Sequence, residues 1–187
     1  MVDVEEKGSI SDILKRLAGM KKRAIYVGIP QEESSRKDTA ITNAELLFIH
    51  TNGVRRRSMI QEMDAVMDSG KPYSKAYELY VQSHGSPLWH APPRPVIEPA
   101  LKAHADEISR GFKGIYDATA KGNVAAVEIA ITKTGITAQN AARGWFTDPR
   151  NGWAENAPAT IARKGSDRPL IDTGAMRKAI VYVVRDE

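Results

Sequence analysis

The chain has no cysteine, so no disulfide can staple it and no thiolate can hold a metal ion; such a composition suits a reducing compartment. It also lacks any apolar run near the roughly 18 residues that a membrane-spanning helix requires. The leading stretch MVDVEEKGSISD is acidic and has no apolar core, so it does not read as a signal peptide. Catalytic signatures are missing as well. The four histidines, His50, His84, His90 and His104, form no H-E-x-x-H pair and have no ligand-spaced carboxylates. No G-x-S-x-G elbow occurs. Gly70-Lys71 falls short of a phosphate loop, because Pro72 stands where Ser or Thr is needed and Ala65 where the first glycine belongs. Asp172-Thr173-Gly174 matches the aspartic-protease triplet, but with one copy the required carboxylate pair would need a second subunit. No catalytic residue, metal ligand or cofactor-binding residue is assigned, and the expectation is that the protein is not an enzyme.

What is present reads as one globular domain. At 187 residues, with 42% hydrophobic and 27% charged residues, the chain can build a single core over 1–187. The net charge of +4 is spread along the chain, unlike the clustered face of a duplex-DNA reader. Arg55-Arg56-Arg57 is the one dense basic cluster. It reads either as a solvated loop or as a contact for DNA or an acidic neighbour subunit.

Periodicity supplies the elements. Ile10, Ile13, Leu14 and Leu17 repeat at helical spacing, with Gly19 as the stop. Residues 24–29 read as a strand ended by Pro30, and 31–41 as a loop. Asn43 is expected to cap a short helix over 44–50, with Asn52-Gly53 ending it. A segment at about 54–88 carries its own helical signals. Met59, Met63, Val66 and Met67 form one face, Gly70-Lys71-Pro72 breaks the pattern, and Tyr73, Tyr77, Tyr80 and Val81 form another. Such a stripe is either a small core seam or an adaptable contact surface for another subunit. Prolines at 87–99 impose extended geometry. Pro95 or Pro99 then opens the longest helix, with Ile97, Leu101, Ile108, Phe112 and Ile115 on its buried face and a stop at Lys121-Gly122-Asn123. Val124, Val127, Ile131 and Ala138 suggest a further helix to about Ala142, weakened by Gly135.

The stretch at about 144–172 has little period, yet it contains Trp145, Phe146, Trp153 and Ile161, which argue against disorder. It reads as an extended arm that becomes ordered against neighbours, with Trp145, Phe146, Trp153, Ile161, Arg168 and Leu170 as its interface. Asp172 or Thr173 is expected to cap a short closing helix, with Gly174 free in its backbone and Arg177 and Lys178 near the helix C-terminus. An apolar strand, Ile180 to Val184, ends the pattern. The expected fold is α+β: a small, mostly antiparallel sheet from 24–29, 179–185 and one or two other strands. It packs on a long central helix near 100–121, with a helical insertion and a long C-terminal loop or arm.

Three blocks carry a resemblance to a known family. Pro169-Leu170-Ile171-Asp172-Thr173-Gly174-Ala175-Met176-Arg177-Lys178-Ala179-Ile180 resembles the closing motif of tailed-bacteriophage neck and tail-completion proteins, which serve in head–tail joining and virion morphogenesis. Thr42-Asn43-Ala44-Glu45-Leu46-Leu47-Phe48-Ile49-His50-Thr51-Asn52-Gly53 is similar to that family's N-A-x-hydrophobic-hydrophobic-x-I-H-E-x-G helix. Pro92-Pro93-Arg94-Pro95-Val96-Ile97-Glu98-Pro99-Ala100 resembles its P-x-R-P lead into the central helix. The blocks occur in the family's order. Two features depart from it: Thr51-Asn52 replaces the usual Glu-Phe, and the 54–88 segment separates blocks that normally lie closer together. The resemblance implies a structural virion protein that completes the tail. It would form a ring, sixfold like the tail, at the head-proximal end and join the tail to the capsid connector. Its partners would be other copies of itself, a tail terminator or tail tube protein, head–tail connector proteins and the passing genomic DNA, with no membrane. Its place would be the virion, and the host cytoplasm during assembly. A tail terminator or other minor tail protein, and a nucleic-acid-binding module, stand as alternatives.

Overall fold

The structure is a computed structural model describing residues 9–20, 22–36, 40–84 and 89–186. Its order is α1 (Ile10–Met20), β1 (Arg23–Gly28), α2 (Asn43–Asn52), β2 (Val54–Arg55), α3 (Arg57–Asp68), α4 (Tyr73–His84), β3 (Trp89–Ala91), α5 (Ile97–Ala103), α6 (Ala105–Ala120), α7 (Val124–Gly144), α8 (Pro158–Lys164), α9 (Ala175–Ala179) and β4 (Val181–Asp186). Short 3-10 turns occupy Gln31–Glu33, Trp145–Thr147 and Pro149–Asn151. The fold is α+β, with antiparallel strands packed on a long helix. Among the described residues no helix is long and apolar enough to cross a membrane.

The first and last strands make the main sheet. β1 runs antiparallel to β4, with Arg23 opposite Asp186 and Gly28 opposite Val181. The one or two further strands expected in this sheet are not there among the described residues: β2 and β3 pair only with each other. They are two and three residues long and lie at the two ends of the inserted segment, so their pairing closes that segment instead of widening the sheet. The helix supporting the main sheet also differs from expectation. The run near 100–121 breaks at His104 into α5 and α6, and β1 and β4 rest on α7, which follows it. Ile25 and Val184 reach a cluster of Ile115, Ala118, Val127 and Ile131 between α6 and α7.

Gly135 explains the choice of helix. It lies buried in the middle of α7, where a Cβ would run into the ring of Tyr182 on β4. The residue that weakens α7 as a helix is the one that lets the strand approach it. Asn123 begins α7 by accepting from the Ala126 N–H at 3.0 Å, as its capping chemistry favours.

The inserted segment has a core of its own. α3 and α4 face each other through Met59, Met63, Ala76 and Tyr80, with Val66, Met67 and Tyr77 beside them. Met59, Met63, Val66, Met67, Tyr77 and Tyr80 of the expected stripe form a core seam, whereas Tyr73 stays exposed. Arg55-Arg56-Arg57 is not a free loop here. Arg55 belongs to β2, and its guanidinium lies 5.4 Å from the ring centre of Tyr73, 5.6 Å from Tyr77 and 5.9 Å from Trp89. It also donates to the Tyr73 hydroxyl. Arg56 donates to the Trp89 carbonyl at 3.3 Å, and Arg57 opens α3; both side chains are exposed. The first of the three arginines therefore ties the helical hairpin to its stem by cation–π contact.

Gly135→Ala tests the seating of β4. Alanine adds about 1 kcal/mol of helix propensity, but the overpacking against Tyr182 costs about 1–3 kcal/mol and more where the strand cannot shift. Urea unfolding should show a net loss of stability. Gly114→Ala in α6, where a Cβ meets open space, should be neutral or stabilising. A Gly135→Ala midpoint at or above wild type would show that β4 does not press on α7.

Candidate functional site

The three separated sequence blocks meet in space. Leu47 of α2, Val96 and Ala100 around the start of α5, and Met176 and Ile180 around α9 share one buried cluster with Ala142, Trp145 and Phe146. Each block reaches it through its own local chemistry. α2 begins with a capping box: Thr42 Oγ1 accepts from the Glu45 N–H at 3.2 Å, and Glu45 Oε2 accepts from the Thr42 N–H at 2.8 Å. The cap is thus Thr42 and not Asn43. Asn43 is buried, with its backbone N–H donating to Ser34 O at 2.7 Å and its amide to Ser35 O at 3.3 Å. α2 ends at Gly53, whose φ of 72° suits glycine and whose missing Cβ leaves room for the Pro93 backbone.

The proline-rich block is held by a side chain. Prolines 92, 93 and 95 have no N–H to offer, and Arg94 between them supplies donors instead. Its backbone N–H donates to His50 O at 2.6 Å. Its guanidinium, in a residue only 6% exposed, donates to Ala154 O at 3.2 and 2.7 Å and to Glu155 O at 2.9 Å. Trp153 Nε1 adds a bond to Pro95 O at 3.1 Å, and the Trp153 ring meets Phe146 edge-on at 5.9 Å. Burial pushes the His50 imidazole below its usual pKa, and the nearby charges of Arg94 and Lys164 push it the same way.

The 144–172 stretch is therefore folded onto its own chain. Trp145 is 5% and Phe146 2% exposed, so neither can serve as the subunit interface expected of them. Trp153 and Leu170 are half-buried against the same core, and Leu170 takes a positive φ of 58°. Ile161 lies half-exposed on α8, and Arg168 is exposed with its carbonyl accepting from Lys164 Nζ at 2.8 Å. The turn before α9 also differs in detail. Gly174 has the expected positive φ, 76°. Thr173 Oγ1 accepts from the Ala175 N–H at 3.3 Å, while Asp172 stands exposed and takes no part in the cap. The end of α9 is fastened by arginines. Arg143 donates to Ile180 O and Lys178 O at 2.7 Å each, and Arg177 returns a bond to Arg143 O at 2.8 Å.

On the surface of this junction lies an open apolar groove of about 600 Å³. Ile29, Leu47, Phe48, Pro95, Ile97 and Leu101 line it, and Glu98 stands at its edge. Phe48 is 70% exposed and also forms a wall of a smaller neighbouring hollow with Ala44, Glu45 and Ile49. Exposure of a large apolar side chain beside a concave apolar surface is the arrangement of a docking site. The periodic reading of the sequence missed both Phe48 and Arg94. The signals were present: four consecutive apolar residues, Leu46 to Ile49, cannot all face inward on one helix, and an arginine among prolines is the local source of donors.

Comparison with known proteins finds no family model that matches this chain, and no curated protein or solved structure similar to it.

Arg94→Ala removes charge-assisted bonds to carbonyls that then lack partners, an expected loss of about 3 kcal/mol. Arg94→Lys should recover only part of it, because a point charge cannot span the fork that holds Ala154 and Glu155. Thermal unfolding combined with limited proteolysis reads both effects, with cleavage within 148–172 accelerating in the alanine variant. Wild-type melting and wild-type cleavage of Arg94→Ala would refute the clamp.

Proposed function

We propose that this protein is a structural component of a tailed-bacteriophage particle, forming an oligomeric ring at the head-proximal end of the tail that completes the tail and joins it to the capsid connector. One observation carries the reading. The three blocks that resemble tail-completion proteins lie far apart in the sequence, yet they share one core, and the blocks at 42–53 and 92–100 supply most of the lining of one apolar groove. A chance likeness of three short strings gives no reason for them to pack together. The groove is a surface for binding another macromolecule, and a ring subunit needs such a surface. Assembly in the host cytoplasm, incorporation into the virion, and a non-enzymatic role belong to the same proposal, as do contacts with a tail terminator or tube protein and with connector proteins.

A second reading, contact with nucleic acid, is favoured by the exposure of Arg56 and Arg57 at the base of the α3–α4 hairpin. Both readings are compatible, since a ring around the genome's path can touch phosphate weakly. Arg55, half-buried, is already engaged with Tyr73, Tyr77 and Trp89, so Arg56 and Arg57 are the freer cations.

Negative-stain imaging of particles made without this protein should show tailless heads beside free tails. Normally joined particles would overturn the structural role.

The Arg56→Ala/Arg57→Ala variant should fold like wild type, because exposed charges contribute within about 0.5 kcal/mol. It should lower head–tail joining or DNA retention if those arginines meet phosphate or an acidic ring. Full infectivity of that variant would leave the two arginines as solvated surface.

A further inference from the structure

We infer that the groove beside Phe48 receives helix α1 of a second copy of this chain, so that subunits join head to tail. The inference rests on the ring reading above for its setting and names the contact that would build the ring.

The occupant is argued from α1 itself. Its apolar residues are more numerous than its seat requires. Ile13 and Leu17 lean half-buried toward the body, Met20 reaches the α6–α7 cluster, and Arg16 donates to Ala120 O at 3.4 Å. Ile10 and Leu14, by contrast, are 78% and 61% exposed. They stand four residues apart, hence on one face, the spacing of a helix that lays anchors into a groove. The groove is concave, apolar and of the size that takes such anchors.

Charge completes the match. The groove carries exposed Glu98, and Glu45 lines the adjoining hollow. α1 carries exposed Lys15 and, bonded to Ala120 of its own chain, Arg16, against the single acid Asp12. An apolar ridge that offers the exposed cation Lys15 therefore faces an apolar groove edged by Glu98, so shape and charge both suit the contact.

The contact must form between copies. α1 is tied to the C-terminal end of α6 through Ala120, whereas the groove lies at Ile97 and Leu101 of α5, before α6 begins. The 16 residues of α6 alone separate them by about 24 Å. Ridge and groove are different patches on one subunit, so the association is heterologous, and it closes into a ring when the rotation per subunit allows.

The test is a mixing experiment on the full chain, read by sedimentation velocity. Wild-type protein should associate beyond the monomer. Leu14→Glu and Phe48→Glu each place a charge in the contact, and each should weaken self-association by more than about tenfold. Circular dichroism should stay at wild type for both, since both side chains are already exposed. Mixed together, the two variants should form a heterodimer, because the first keeps an intact groove and the second an intact α1. A mixture that stays monomeric overturns the pairing, as does wild-type association in both variants. Loss of association in Phe48→Glu alone would mean that a different surface fills the groove, and it overturns the assignment of α1. A wild-type chain that is monomeric at every concentration does the same. The solution contact and the place of the ring are separable: a heterodimer beside normally joined particles lacking the protein would leave the contact standing and remove the tail-joining role.

Discussion

The fold turns on a guanidinium that has almost no water. Arg94 is buried, and a buried cation is costly unless its donors are occupied. Here three of its five N–H donors, on Nε and Nη2, are taken by the carbonyls of Ala154 and Glu155. The arrangement solves two problems together. The flanking prolines cannot donate, and the 148–157 stretch has carbonyls that no helix or strand satisfies. Once Arg94 bridges them, Trp153 is brought to Pro95 and Phe146, and the wall of the groove becomes part of a packed core. A buried residue thereby fixes the shape of an exposed surface.

A second pair of arginines does similar work at the other side of the core. Arg143 ends α7 and Arg177 lies in α9, and each donates to carbonyls near the other's helix end. Helix C-termini carry unpaired carbonyls and a partial negative charge, so two cations can face each other there without mutual exclusion. The exchange sets the direction in which the chain leaves α9, and β4 then runs back along α7. Gly135 completes the placement by letting Tyr182 lie against the helix. The last strand is held by hydrogen bonds at its start and by shape in its middle.

Much of this was legible in the chain. Helices α1, α2, α3, α4, α7 and α9, the β1 and β4 strands, the Gly53 and Gly174 turns and the inserted segment declare themselves through period and through glycine or proline, whereas α8 and the break between α5 and α6 at His104 do not. Nor do the partners of the legible elements. Gly135 reads as a weakness in a helix because its reason, the ring of Tyr182, lies 47 positions away. The same limit made 144–172 read as an arm for neighbours. Its aromatics lack a period because they fill a core built from three distant blocks, and only those blocks explain them. Asn43 looked like a cap because capping propensity is local, while the burial that draws it to Ser34 and Ser35 is not. At the groove, the run of four apolar residues in α2 implied an outward Phe, but which of the four faces out depends on where Val96 and Met176 pack.

The inserted hairpin shows how such a molecule can carry an addition at little cost. Its two ends pair as β2 and β3, so the body sees a closed junction and not a long open loop. Met59, Met63, Ala76 and Tyr80 bury one another, while Ile60 and Tyr73 stay exposed, and this cluster is distinct from the one around Leu47 and Trp145. Arg55 ties the base together through its contacts with the rings of Tyr73, Tyr77 and Trp89. The body therefore does not depend on what the hairpin presents, nor the hairpin on the groove. Separate cores allow separate surfaces: the apolar groove lies at the junction of the body, and the exposed Arg56 and Arg57 lie at the hairpin base.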